Sequence, residues 1–135
     1  MAAMSDYLEG QIIAHIFRSA TWAKPSSLSF ALYTTATDDA SGGTEVPTSG
    51  TGYSRVTVTP SDANFSAPTA GNGQTSNSTQ ISFPTATASW GTVTHFAILD
   101  QSGNRLLHGA LSASKSVGVG DGAAFNPSTL TLTLA

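Results

Sequence analysis

The amino-acid sequence predicts a mainly β protein: a single antiparallel β-sandwich, jelly-roll-like, of about eight strands with one short N-terminal helix. Apolar residues recur at four-residue steps only near the start of the chain, and at every second position from about residue 28 onwards. Turn residues then interrupt the pattern roughly every ten residues, which is typical of sandwiches and jelly rolls. The 19 Thr residues also suit strands, since Thr is β-branched.

The helix is predicted over Ser5–Arg18. Asp6 and Glu9 have the spacing of a capping box, with Asp in the capping position, and Arg18 suits the negative end of the helix dipole. A helix of this length is marginal on its own, so it must pack against another surface. Two alternatives stay open: it covers one end of its own sheet, or it docks on a neighbouring subunit.

The predicted strands follow from two-residue alternation, and the strongest pair flanks a hairpin turn at Gln101–Asn104. Long loops separate the earlier strands at Thr37–Gly52 and Ala67–Ser76. The predicted strands are Leu28–Thr35, Tyr53–Thr59, Asn64–Ser66, Ser78–Phe83, Thr92–Asp100, Arg105–Leu111, Lys115–Val119, Ala123–Phe125 and Thr129–Leu134. We therefore expect an N-terminal helical arm over 1–19 and one β domain over 20–135.

The composition excludes several functional classes. Charged residues make up only 10% of the chain and the net charge is −3, with five scattered basic residues, so nothing favours nucleic-acid binding. There is no Cys, which excludes disulfides and thiolate metal sites. No apolar run has the length of a membrane span, and the N-terminus does not resemble a secretory signal. An uncharged, Ser/Thr-rich surface costs little to desolvate and suits permanent assembly with other proteins.

No residue pattern indicates catalysis or a cofactor. His95 and His108 lie on adjacent predicted strands and could approach one another, but no third ligand accompanies them, so packing or interface roles are favoured over a metal site. Asp38 and Asp39 lack the spacing of a calcium loop and read as a solvated turn. No Gly-x-Ser-x-Gly sequence marks a hydrolase nucleophile. We expect neither enzymatic activity nor a bound cofactor or metal.

Aromatic residues offer one binding alternative. Trp22, Trp90 and Tyr53 could stack on sugar rings at a receptor-binding tip, whereas large aromatics beside Pro- and Thr-rich turns are more often core residues. We favour the core interpretation.

The segment Phe83–Asp100 (FPTATASWGTVTHFAILD) and the following Leu106–Leu111 (LLHGAL) resemble a family of small tailed-bacteriophage virion proteins. Leu28–Thr35 (LSFALYTT), Gly43–Val46 and Gly52–Arg55 agree with the resemblance, which extends from about Tyr7 to Leu134. Proteins of this family are often labelled tail fibre proteins, and some members are capsid cement, or decoration, proteins. The resemblance implies a non-enzymatic virion component, made in the host bacterial cytoplasm, with a jelly-roll-like fold.

Between head and tail, the sequence favours the head, because fibres generally show long repeats or coiled segments and this chain has one domain without repeats. The expected function is therefore a cement protein on the outer capsid surface, bound to the major capsid protein and to copies of itself as a dimer or trimer. A tail fibre or tail-tip protein that binds a host receptor or glycan is the alternative. We expect the helix and the long loop to make the protein contacts, through Leu8, Ile12, Ile16, Phe17, Asp38, Asp39 and Glu45.

Overall fold

The computed structural model describes residues 2–68 and 71–134. Within those ranges it has one helix and nine strands, and it confirms the predicted mainly β fold class. The elements are β1 (Ala2–Met4), α1 (Asp6–Phe17), β2 (Leu28–Tyr33), β3 (Val56–Val58), β4 (Gln74–Ser76), β5 (Ile81–Ser82), β6 (Gly91–Leu99), β7 (Arg105–Val117), β8 (Ala124–Phe125) and β9 (Thr131–Thr133).

A five-stranded antiparallel sheet in the order β1-β7-β6-β2-β3 forms the main layer. The β6–β7 hairpin turns at the predicted position, since the Asp100 carboxylate accepts the backbone N–H groups of Ser102 and Asn104, each at 2.9 Å. Gly103 supplies the positive φ of 84° that the turn requires. The two most apolar strands of the sequence, β2 and β6, are neighbours at the centre of the sheet.

One face of this sheet carries the core. Phe30 pairs with Ile98 and Leu32 with Phe96, and all four side chains are buried. Two small antiparallel sheets, β4-β9 and β5-β8, and the residues that flank their strands supply the opposing side of the same cluster, among them Ile81, Phe83, Leu130 and Leu132. The arrangement is sandwich-like, with aromatic rings such as Phe96 and Phe125 in edge-to-face contact across it at 5.8 Å.

The other face of the main sheet carries a smaller cluster of Ala31, Tyr33, Ala97 and Leu99. The loop at residues 34–44 covers it: a Cβ atom added at Gly43 would lie 3.1 Å from the Tyr33 ring. This loop is therefore packed on the sheet. Asp38 and Asp39 lie in an exposed part of this loop with their side chains mostly in solvent, which agrees with the expected solvated turn.

The N-terminal segment begins with a strand that the sequence did not reveal. In β1, Ala2 pairs with Gly109 and Met4 with Leu107, so the first residues of the predicted helical arm belong to the main sheet. Ser5, not Asp6, caps the helix, because its Oγ accepts the N–H of Leu8. A three-residue Ala-Ala-Met strand has too few residues to show any periodicity, and only its partner β7 reveals it.

Several strands begin or end at other residues than predicted, because pairing with a neighbouring strand determines their ends. β7 is one strand of 13 residues, where two were expected, and β4 lies inside the predicted loop Ala67–Ser76. Asn64–Ser66 contributes only a single bridge, between Phe65 and Asn77. The polar sequence Gln-Thr-Ser of β4 shows no apolar alternation that would predict a strand, and it forms one because it pairs with β9.

Asn77 ties the second layer together and is completely buried. Its Nδ2 donates to the carbonyl oxygens of Asn126 at 2.8 Å, Thr79 at 2.9 Å and Phe125 at 3.3 Å. Its Oδ1 accepts the backbone N–H of Leu130 at 3.0 Å. The side chain therefore links three segments through hydrogen bonds to their backbone groups. Its own polar atoms are all paired, as is typical of buried polar groups.

Candidate interaction surfaces

The helix presents an apolar face to solvent. Ile13, Ile16 and Phe17 are 55%, 63% and 79% exposed, and their spacing of three and four residues puts them on one side of α1. The same side carries Glu9 one turn earlier, while Leu8 is only 5% exposed. We call the exposed patch made by Glu9, Ile13, Ile16 and Phe17 the helix face. Large apolar groups clustered at a surface are typical of interaction sites.

The structure separates the four helix residues that the sequence assigned to protein contacts. Ile16 and Phe17 are exposed, Ile12 is half-buried, and Leu8 is buried within the chain and offers no surface to a partner. Ile13 was not assigned, although it precedes Ile16 and Phe17 by three and four residues. Sequence reasoning could not separate the two sides, because the helix has apolar residues on both.

The acidic residues of the loop are each engaged within the chain. Asp38 accepts the N–H groups of Gly42 at 2.7 Å and Ala40 at 3.0 Å, and the Gly42 bond is the main reason that its pKa is lowered. Its Oδ1 also lies 3.5 Å from Nη1 of Arg105. Asp39 lies 2.8 Å from Nε2 of His108, so both carboxylates hold the loop on β7.

Arg105, on β7, holds this loop on the sheet. Its Nη1 donates to the carbonyl oxygens of Asp38 and Gly42 at 2.8 and 3.0 Å, and its Nη2 donates to the Tyr33 hydroxyl. The guanidinium carbon lies 5.2 Å from the centroid of the Tyr33 ring, a cation–π distance. Within the described residues Arg105 Nε is the one buried side-chain donor without a partner. The contacts with the loop explain why a charged residue is buried at this position. The strand pattern of β7 alone does not predict it.

Glu45 forms a second internal network. It binds Arg55 through both carboxylate oxygens at 2.8 and 2.7 Å and accepts the hydroxyl of Tyr53 at 2.8 Å. Burial opposes ionisation of Glu45, but the hydrogen bonds from Arg55 and Tyr53 outweigh it and lower its pKa. Burial likewise raises the pKa of Tyr53. The structure therefore brings Asp38, Asp39 and Glu45 into internal networks, and their role in partner contacts stays a prediction.

His95 and His108 are neighbours on one face of the sheet, as expected from the hairpin. His95 pairs with Ala110 and His108 with Ala97, and both line a cavity of about 240 Å³. The His108 nitrogens lie 3.0 Å from Thr37 Oγ1 and 2.8 Å from Asp39 Oδ1. In the part of the chain that the structure describes, no group of three or more His, Asp or Glu side chains is placed to hold a metal.

Two of the three aromatics considered for glycan stacking are core residues. Trp90 is buried, donates its Nε1–H to the Thr51 carbonyl at 2.9 Å, and meets the Tyr53 ring edge-to-face at 5.3 Å. Tyr53 is buried as well, whereas Trp22 is half-buried. A stacking role for Trp90 and Tyr53 is therefore wrong, and their core interpretation is confirmed.

A cavity of about 390 Å³ opens where β7 bulges away from β6. Val93 pairs with Lys115 but His95 pairs with Ala110, so five steps along β7 span two steps along β6. We call this cavity the β7 pocket. Its apolar walls include Phe83, Phe96, Leu111, Phe125 and Leu130, and Ala113 and Lys115 lie at its rim.

No helix among the described residues has the length and apolar character needed to cross a membrane. No curated protein matches the chain. The family model described as "Podophage GP4 fiber I protein gp80" matches residues 3–133, which is nearly the whole chain. The matched residues include both the helix and the residues that line the β7 pocket. The chain is therefore a phage virion structural protein that belongs to the family of podophage GP4 fiber I protein gp80.

Proposed function

We propose that this chain is a non-enzymatic structural subunit of a virion fibre, held in the particle through protein–protein contacts. The family match over residues 3–133 carries the proposal. The helix face supports it, because a protein that acted alone in solution would gain nothing from exposing Ile16 and Phe17. The low content of charged residues, 10%, also favours a surface that other proteins cover permanently.

A capsid cement protein is the second candidate. One domain without repeats, capped by a single exposed helix, favours attachment to a lattice of capsid subunits over an extended fibre shaft. Binding only to the assembled shell would stabilise that shell by mass action. In that case the partner is the major capsid protein, and the location is the outer capsid surface.

Copy number and position in the particle test both candidates. Purified phage is separated into heads and tails, and the chain is quantified in each by mass spectrometry and located by antibody labelling. A few to tens of copies at the tail or at discrete fibres support the fibre assignment, and hundreds of copies spread over heads support cement. Absence from purified particles overturns both.

A further inference from the structure

We infer that copies of this chain bind each other head to tail, with the helix face of one copy seated in the β7 pocket of the next. This inference goes beyond the proposed function, because any virion position would accommodate such a contact. It commits to one occupant for the pocket, which is a second copy of the chain.

The pocket has the size and chemistry for this occupant. A cavity of about 150 Å³ accommodates a benzene ring, and the β7 pocket measures about 390 Å³, which leaves room for more than one apolar side chain. Its inner walls are core residues such as Phe96 and Leu130, so any side chain that enters continues the hydrophobic core. The exposed side chains of Ile13, Ile16 and Phe17 form an apolar projection that could enter such a pocket.

The charges at the two surfaces are complementary. Lys115 pairs with the buried Val93, so it lies on the core-facing side of β7 at the pocket rim. Glu9 lies on the helix face, one turn before Ile13. Neither Lys115 nor Glu9 forms a salt bridge within residues 2–68 and 71–134. Seating the helix in the pocket would place an unpaired carboxylate near an unpaired ammonium group.

The positions of the two surfaces require a second copy. Along β1, Ala2 pairs with Gly109 and Met4 with Leu107, so the chain enters α1 near the Arg105 end of β7. The pocket lies at the Leu111–Val117 end of the same strand. The helix face stays exposed in the single chain, and a copy therefore does not fill its own pocket. Two different surfaces meeting in this way make a heterologous interface, which closes into a ring or continues as a filament.

Complementation between two defective variants of the full-length chain is the decisive experiment. Phe17→Ser removes the aromatic part of the apolar projection, and Ala113→Trp obstructs the exposed pocket rim. Val119→Ser and Ala63→Trp are the matched controls, since Val119 is an exposed apolar residue and Ala63 an exposed Ala, and both lie outside the two surfaces. Circular dichroism and thermal unfolding first establish that every variant is folded.

Sedimentation velocity over a concentration series then gives the assembly state. We expect wild type and both controls to self-associate. Each defective variant should have a dissociation constant raised about tenfold to a hundredfold, because Phe17→Ser removes one buried apolar side chain and Ala113→Trp keeps the partner's apolar side chains out of the pocket. Mixing the two defective variants should produce a dimer and nothing larger, because the mixture retains one intact helix face and one intact pocket per pair.

Charge exchange tests the orientation. Glu9→Lys and Lys115→Glu should each weaken association, and the double variant should restore it. A wild-type chain that remains monomeric at high concentration overturns the inference, as does self-association that Ala113→Trp leaves unchanged, which would indicate a symmetric helix–helix contact. Failure of this inference leaves the virion assignment intact, because that assignment is tested separately by copy number in particles.

Discussion

Replacing Asn77 with Ala should destabilise the protein more than any change at a surface amide. The substitution removes two strong hydrogen bonds from Nδ2, at 2.8 and 2.9 Å, and one to Oδ1, at 3.0 Å. Each is worth about 1 kcal/mol net, and the buried carbonyl and N–H groups left without partners raise the cost further. We expect a loss of about 3–5 kcal/mol in the free energy of unfolding, a large part of the total stability of a domain.

Urea unfolding, followed by fluorescence and circular dichroism, measures this loss, and the melting temperature should fall by about 10–20 °C. Asn72→Ala is the matched control, because Asn72 is exposed and, within the described residues, its side chain hydrogen-bonds only to Gln74. The control should stay within about 0.5 kcal/mol of wild type. If Asn77→Ala does the same, the buried amide does not join the segments and this reasoning is wrong.

Asn77→Asp sharpens the test, since it keeps the size of the side chain but replaces a donor with a carboxylate that faces three carbonyl oxygens. Burial among acceptors should raise the pKa of the introduced carboxyl in the folded state. The stability deficit should then be largest above that raised pKa, and should shrink as pH falls towards the unfolded value of about 3.9. A deficit that does not change with pH would contradict this account.

The remaining predictions concern the helix cap and the two loop networks. Ser5→Ala should cost about 1–2 kcal/mol in unfolding free energy, because Ser5 caps α1 and also donates to the Arg105 carbonyl; an unchanged urea midpoint would contradict this. Arg105→Met leaves two loop carbonyls without a donor and should cost about 3 kcal/mol, with faster amide exchange over residues 38–42. The lowered pKa of Glu45 means that its pairing with Arg55 contributes fully above its ordinary value of 4.5 and is lost as pH falls through the folded-state value. Glu45→Gln should therefore reduce the acid-induced drop in melting temperature, and a pH profile identical to wild type would contradict this.

The sequence by itself determined the features that depend on neighbouring residues. Two-residue alternation over Leu28–Tyr33 and a four-residue repeat over α1 are local patterns, and the turn chemistry of Gln101–Asn104 acts within four residues, so all three were predicted correctly. The mainly β class followed from these patterns. Neither β1 nor β4 could be predicted, because three residues without apolar alternation become a strand only beside a partner.

The tertiary structure alone decided which polar residues are buried and which apolar residues are exposed. Asn77 occurs in a Ser/Thr-rich stretch with nothing to distinguish it, and its importance comes from Phe125, Asn126 and Leu130, about fifty positions away. The helix face was likewise decided by the tertiary structure, since the packing of α1 against the main sheet determines which side of the helix is exposed to solvent. The β7 pocket depends on a mismatch in register between two strands, which exists only when both are paired.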